Sequence, residues 1–197
     1  MRSRNLMLGG AVFAIIASVW FGTFALAQQD ATPSPPATGS PIPAGTPTGG
    51  WKAWQTMELT DVQTGKTFKL SDYYGKTVLI QPMATWCSSC RQQLKNIRDA
   101  RAAEGGEKIM VIAISIETTL KDEELADYAK TEGFDWPFVV ASDDLLKALV
   151  KEFGRTVANP PSTPHFLLRP DGTFTKLETG GRSPEELTKW FEAAGKK

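Results

Sequence analysis

Side chains that ligate metals or build disulfide frameworks are scarce in this chain, which has two cysteines and one histidine in 197 residues. Two cysteines cannot make the multiple bridges that stabilise small secreted scaffolds. A structural zinc site needs four ligands, and a cysteine pair with His165 supplies three. Net charge is absent as well, with 22 basic against 22 acidic side chains. Residues 1–50 hold only Arg2, Arg4 and Asp30, so the rest of the chain carries 20 basic and 21 acidic groups, a net of −1. That balance removes the electrostatic footprint of a nucleic-acid binder. No internal repeat occurs. What is present is 41% hydrophobic residues and a length that allows one ordinary domain plus extensions.

Charge is missing from one stretch in particular. Arg2 and Arg4 precede residues 6–27, which carry none. This is a targeting segment, and the positive-inside rule leaves its N-terminus in the cytoplasm and exports the remainder. Ala25-Leu26-Ala27 fits a signal-peptide cleavage site, while the apolar run also reaches the roughly 20 residues needed to span a bilayer. Removal and retention as an anchor both stay open. Residues 28–50 follow as a linker. Pro33, Pro35, Pro36, Pro41, Pro43 and Pro47 alternate with small polar residues, so the segment cannot bury enough surface to fold.

A domain is expected over 51–197. Short strands at 58–60 and 67–70 flank a turn at Gln63-Thr64-Gly65-Lys66 and predict a hairpin. Residues 71–76 read as a loop or a single helical turn. A central strand is predicted at 78–81, ended by Pro82. Residues 87–103 read as a helix stopped by Gly105-Gly106. The nearly continuous apolar run at 108–116 has the character of a parallel strand covered on both faces. A helix at 122–132, a strand at 138–140 and a helix at 143–153 follow, the last with Leu145, Leu146, Leu149 and Val150 inward. Residues 166–168 and 173–175 predict a hairpin about Pro170-Asp171-Gly172. Ser183-Pro184 opens a final helix through Ala194. Strands alternating with helices before a closing hairpin predict an α/β domain with a mixed sheet.

Both cysteines lie in Trp86-Cys87-Ser88-Ser89-Cys90, directly after the first long strand. Thiols at i and i+3 share one helical face and can close into a disulfide. At a helix start, free N–H groups and the dipole favour a thiolate, which makes Cys87 the better nucleophile. Cys90, one turn further in, would resolve a mixed disulfide. Trp86 offers an apolar shield and docking surface beside the sulfur. The pair is itself the redox group, so no organic cofactor and no metal is called for. The same residues also suit other uses: half a zinc site, a static disulfide in a non-enzymatic binding module, and copper delivery by Cys87, Cys90 and His165. A peroxidase reading rests on Pro82, Thr85 and Cys87, at a spacing compressed by two residues.

Over about residues 54–194 the chain resembles the thioredoxin superfamily, and within it the exported TlpA/ResA-like thiol–disulfide oxidoreductases. Gly75-Lys76-Thr77-Val78-Leu79-Ile80, then Ala84-Thr85-Trp86-Cys87-Ser88-Ser89-Cys90-Arg91, match the lead-in and active site. The Gly65-Lys66 hairpin matches the N-terminal addition. Residues 111–117 and Phe134-Asp135-Trp136-Pro137-Phe138 match the central insertion. Ser162-Thr163-Pro164-His165-Phe166-Leu167 and Pro170-Asp171-Gly172 match the loop and final hairpin facing the cysteines. The resemblance implies a thioredoxin-like fold, a central mixed sheet flanked by helices with an N-terminal β-hairpin. It implies that Pro164 is cis, facing the CxxC, and that the Thr163 backbone pairs with an extended substrate segment. His165, next in line, is a minor candidate as proton donor. The partners implied are exported protein thiols and disulfides, a membrane electron donor or acceptor protein, and the membrane itself if residues 1–27 stay attached. Cytochrome c or copper-site assembly is the implied service.

The chain also departs from that pattern. The family's buried acid, six residues before the first cysteine, is Gln81, and the glutamate that some members carry three residues after the second is Gln93. A glutamine cannot take a proton at neutral pH. Water or a carboxylate such as Glu117 is then the candidate acceptor. The motif's usual proline is absent from Ser88-Ser89, Pro82-Met83 replaces an aromatic pair, and Lys95 replaces a kinking proline.

Overall fold

The computed structural model describes residues 50–104 and 109–195. The expectations for residues 1–49, for Gly105-Gly106 and for Lys108 lie outside them. No helix among the described residues is long and apolar enough to cross a membrane.

Four strands form the central sheet: β3 (Val78–Met83), β4 (Met110–Ser115), β5 (Phe138–Val140) and β6 (Phe166–Leu168). Their order is β5-β4-β3-β6, with β3, β4 and β5 parallel and β6 antiparallel to β3. A separate hairpin pairs β1 (Leu59–Thr60) with β2 (Thr67–Phe68). The helices are α1 (Ala53–Thr56), α2 (Ser88–Ala103), α3 (Asp122–Glu132), α4 (Asp143–Phe153) and α5 (Pro184–Gly195). The mixed α/β sheet predicted from the sequence is therefore present.

The period-2 alternation of the strands separates two cores. Leu79, Met83, Val111, Ala113 and Leu167 pack beneath α2, α3 and α5, against Leu94, Ile97, Leu125, Leu187 and Phe191. Val78, Ile80, Ile112, Ile114, Phe166 and Leu168 face the other way, onto Trp54 of α1 and Leu145 and Leu149 of α4. Both faces are covered, which explains the unbroken apolar runs in β3 and β4. Leu146 and Val150 flank the second core half-buried. The helix ends follow local chemistry: Ser142 Oγ accepts from Leu145 N–H at α4, and Gly133, at φ 71°, closes α3 in the left-handed region.

Pro82 does not end β3. The strand runs on through Met83, with Pro82 in register with Ile114. The Met83 carbonyl accepts from Ile116 N–H on the β4 side. By alternation Pro82 faces the β6 side, where pairing stops at Ile80. Its missing N–H therefore leaves no gap in a ladder. The four-residue α1 was not predicted. It seats Trp54 among Phe153, Phe166 and Phe174, at centroid distances of 5.2–5.7 Å.

Candidate functional site

The end of β3 delivers the cysteines. Ala84 C=O accepts from Cys87 N–H at 3.0 Å, so residues 84–87 make a turn out of the strand and into α2. Cys87 is the N-cap, one residue outside the predicted helix start, with extended backbone. Cys87 and Cys90 are joined as a disulfide with Cα atoms 5.3 Å apart. Cys87 Sγ accepts from Cys90 N–H at 3.1 Å, so the sulfur itself caps the helix. Ser89 Oγ stands 3.3 Å from that sulfur and 3.3 Å from Pro161 C=O, and its proton can serve either. A Cys87 thiolate in the same place would have the Cys90 N–H, the helix dipole and, with its proton turned from Pro161, the Ser89 hydroxyl to support it. Cys90 is fully buried, its Sγ 3.0 Å from Pro160 C=O, which would accept the proton of a Cys90 thiol. Cys87 is 3% exposed, whereas neighbouring Trp86 is 61% exposed and is the one large apolar side chain so exposed among the described residues.

Across from the cysteines a 3-10 turn, Pro160–Ser162, leads into Thr163. Thr163, at φ 52°, is the one non-glycine with positive φ among the described residues. Its N–H donates to Pro160 C=O at 2.7 Å, and its C=O accepts from His165 Nδ1 at 3.0 Å. Both main-chain groups expected to meet a substrate strand are thus engaged inside the protein. Pro164 is buried, and its C=O accepts from Gln81 Nε2 at 2.9 Å. The loop reaches the cysteines through Pro160 and Pro161, two contacts that the sequence reading missed. The Pro160-Pro161 dipeptide was the available signal.

The groups considered for proton transfer have other work. Gln81 donates to the carbonyls of Pro164 and Pro82, and Gln93 Oε1 accepts from Arg182 N–H at 2.8 Å. His165 is buried, and Arg182 Nε donates to its Nε2 at 3.3 Å, which leaves the proton on Nδ1 for Thr163 C=O. Burial holds the His165 pKa below its ordinary 6.5, opposed by the bond to Thr163. Arg182 also pairs with Glu178 and lies 4.6 Å over the Trp190 ring. The Glu117 carboxylate accepts from Thr85 N–H at 2.6 Å and from Thr85 Oγ1 at 3.0 Å. The Thr85 hydroxyl of the peroxidase reading is therefore turned to Glu117. Among the described residues no group of three or more His, Cys, Asp or Glu is arranged to hold a metal ion.

Such a cysteine pair, capping a helix beside the central strand of this sheet, defines a thioredoxin-like thiol–disulfide oxidoreductase. A family model described as Redoxin matches residues 37–190, and the chain belongs to that family. The thiol–disulfide oxidoreductase ResA of Geobacillus thermodenitrificans is 25% identical over 136 residues, covering 68% of this chain and 72% of that protein. Two solved structures share the fold. One is a thioredoxin-family thiol:disulfide interchange protein of Chlorobium tepidum, 19% identical at a TM-score of 0.58, covering 79% of this chain and 98% of that one. The other is a secreted disulfide oxidoreductase of Mycobacterium tuberculosis, 17% identical at a TM-score of 0.53, covering 71% and 97%.

Proposed function

We propose that this protein exchanges its Cys87–Cys90 pair with the thiols and disulfides of exported proteins in a bacterial cell envelope. In the reducing direction the Cys87 thiolate attacks a substrate disulfide and displaces one substrate thiolate. The Cys90 thiol gives up its proton to that thiolate or to water and attacks Cys87 Sγ. The second substrate thiolate leaves, the Cys87–Cys90 disulfide forms, and two electrons have passed to the substrate. The oxidising direction is the reverse, and the partner's potential selects between them. Trp86 is the docking surface beside the sulfur. Thr163 and Pro164 form the opposite wall, where a substrate strand would have to displace the Pro160–Thr163 bond.

The carrying observation is the cap: Cys87 Sγ at a helix N-terminus, with Cys90 N–H and Ser89 Oγ beside it. Export is supported by Arg2, Arg4 and the uncharged residues 6–27, with 28–50 as the linker that follows, and by the secreted Mycobacterium relative. Likeness to ResA supports thiol–disulfide exchange; the place we give it, in cytochrome c maturation or envelope redox homeostasis with a membrane protein as electron donor or acceptor, follows from the family resemblance of the sequence. Cys87→Ser should abolish turnover of a protein disulfide, and Cys90→Ser should accumulate mixed disulfides on non-reducing gels. Full turnover by Cys87→Ser would overturn the reading.

A further inference from the structure

We propose that Glu117 and Arg91 are positioning residues, which hold the turn bearing Trp86 and Cys87 by gripping Thr85 from two sides. This rests on the thiol-exchange reading and adds to it the parts that keep the nucleophile in place.

Thr85 and Trp86 are the central residues of the turn closed by Cys87 N–H and Ala84 C=O. Every polar group of Thr85 is held by a charged side chain. Its N–H donates to Glu117 Oε2 at 2.6 Å, and its hydroxyl donates to the same carboxylate at 3.0 and 3.2 Å. Its C=O accepts from Arg91 Nη2 at 3.1 Å.

Neither grip belongs to the turn. Glu117 follows β4 and is itself fixed: Ser115 Oγ donates to its Oε2 at 3.3 Å, and Ile116 N–H donates to Met83 C=O at 2.9 Å. Arg91 sits in the first turn of α2, directly after Cys90. Glu132 at the end of α3 pairs with Arg91 Nε at 3.3 Å and with Lys95 Nζ at 3.0 Å, and the Arg91 guanidinium lies 5.6 Å from the Tyr128 ring centre. The segment between β4 and β5 thus reaches the turn twice, through Glu117 and through Glu132 and Arg91.

Charge-assisted hydrogen bonds are the stronger class, and here they meet on one residue. A turn held this way keeps Cys87 Sγ at the helix end, where Cys90 N–H supports it, and keeps Trp86 presented. The Glu117 carboxylate, committed to Thr85 and Ser115, acts as an acceptor of fixed bonds. That distinguishes it from a proton acceptor for Cys90, because a carboxamide oxygen can replace the first role and not the second.

The test compares Glu117→Ala, Glu117→Gln, Arg91→Ala and Arg91→Lys with the unaltered protein, using reduction of insulin disulfides and amide hydrogen exchange at Thr85 and Trp86. The expected result is about a tenfold lower kcat/KM in both alanine variants and recovery to within threefold in Glu117→Gln. Thr85 amide exchange should be at least tenfold faster in Glu117→Ala and intermediate in Glu117→Gln, whose carboxamide oxygen keeps the bond and loses the charge. Arg91→Lys should fall between. An unchanged Thr85 exchange rate in Glu117→Ala would overturn the grip. So would Glu117→Gln as impaired as Glu117→Ala with a displaced pH profile, which marks proton transfer. Failure of the unaltered protein both to reduce insulin disulfides and to oxidise a reduced protein dithiol would instead overturn the functional reading beneath, and the exchange rates would still decide the grip.

Discussion

The two walls of the disulfide are built from different materials. The wall that carries the chemistry, residues 84–87, is held by the charged side chains Glu117 and Arg91 on Thr85. The wall across from it, Pro160 to Pro164, is held by main-chain bonds and neutral side chains: Thr163 N–H to Pro160, His165 to Thr163, Gln81 to Pro164. Charge-assisted bonds resist distortion about twice as strongly as neutral ones. The first wall is therefore suited to holding a nucleophile still. The second is closed on itself by single neutral bonds, and it contains the strained Thr163, at which we propose a substrate strand pairs.

The largest effect should come from putting a charge into the neutral wall. Gln81→Glu would turn a carboxylate, fully buried, against the two carbonyls that now accept from its amide. About 3 kcal/mol of stability should be lost at pH 7, measured by denaturant unfolding. The buried carboxyl's pKa would be raised, so the deficit should grow as pH rises above the ordinary glutamate value near 4.3. A variant as stable as the parent at pH 7 would mean that the second wall tolerates charge as the first does.

A smaller change sharpens the other side of the contrast. Ser89→Ala removes a hydroxyl donor 3.3 Å from Cys87 Sγ and leaves the Cys90 N–H in place. The reduced form should lose about 1 kcal/mol, which lowers the reduction potential by about 20 mV on equilibration with glutathione. An unmoved potential would assign the thiolate's support to the helix end alone.

The smallest effect concerns His165. Its folded-state pKa lies below 6.5 because burial disfavours the charged ring, next to the Arg182 guanidinium and with Glu178 and Trp190 nearby. A depressed pKa means that its contribution is complete above about 6.5 and is lost as pH falls, when the unfolded chain takes up a proton that the folded one refuses. Unfolding measured between pH 7 and 5 should show a shallower loss in His165→Gln than in the parent. Equal slopes would remove His165 from the account.

Much of the frame was legible because it is periodic. The strand at Phe138–Val140 and the helices at Asp122–Glu132 and Asp143–Phe153 fall where alternation, caps and apolar spacing placed them. Pro82 misled because a proline reads as a break unless one knows which side of the strand lacks a partner, and that is decided by β6, far along the chain. The cysteine pair was legible as a local motif. Its supports were not, since Thr85 meets Glu117 across 32 residues and Gln93 meets Arg182 across 89. A local pattern carries no trace of such encounters. The two glutamines illustrate this: their identity showed that a proton acceptor was missing, and only the structure shows them tying the second wall and the approach to α5.

The central claim is that Cys87, capping α2, is the reactive thiol of the pair. Its direct test is the pH dependence of iodoacetamide alkylation of the fully reduced protein, with the modified site identified by peptide mass. The account predicts alkylation confined to Cys87 and titrating below the free-thiol value near 8.5. Alkylation titrating at or above that value, or beginning at Cys90, would contradict it.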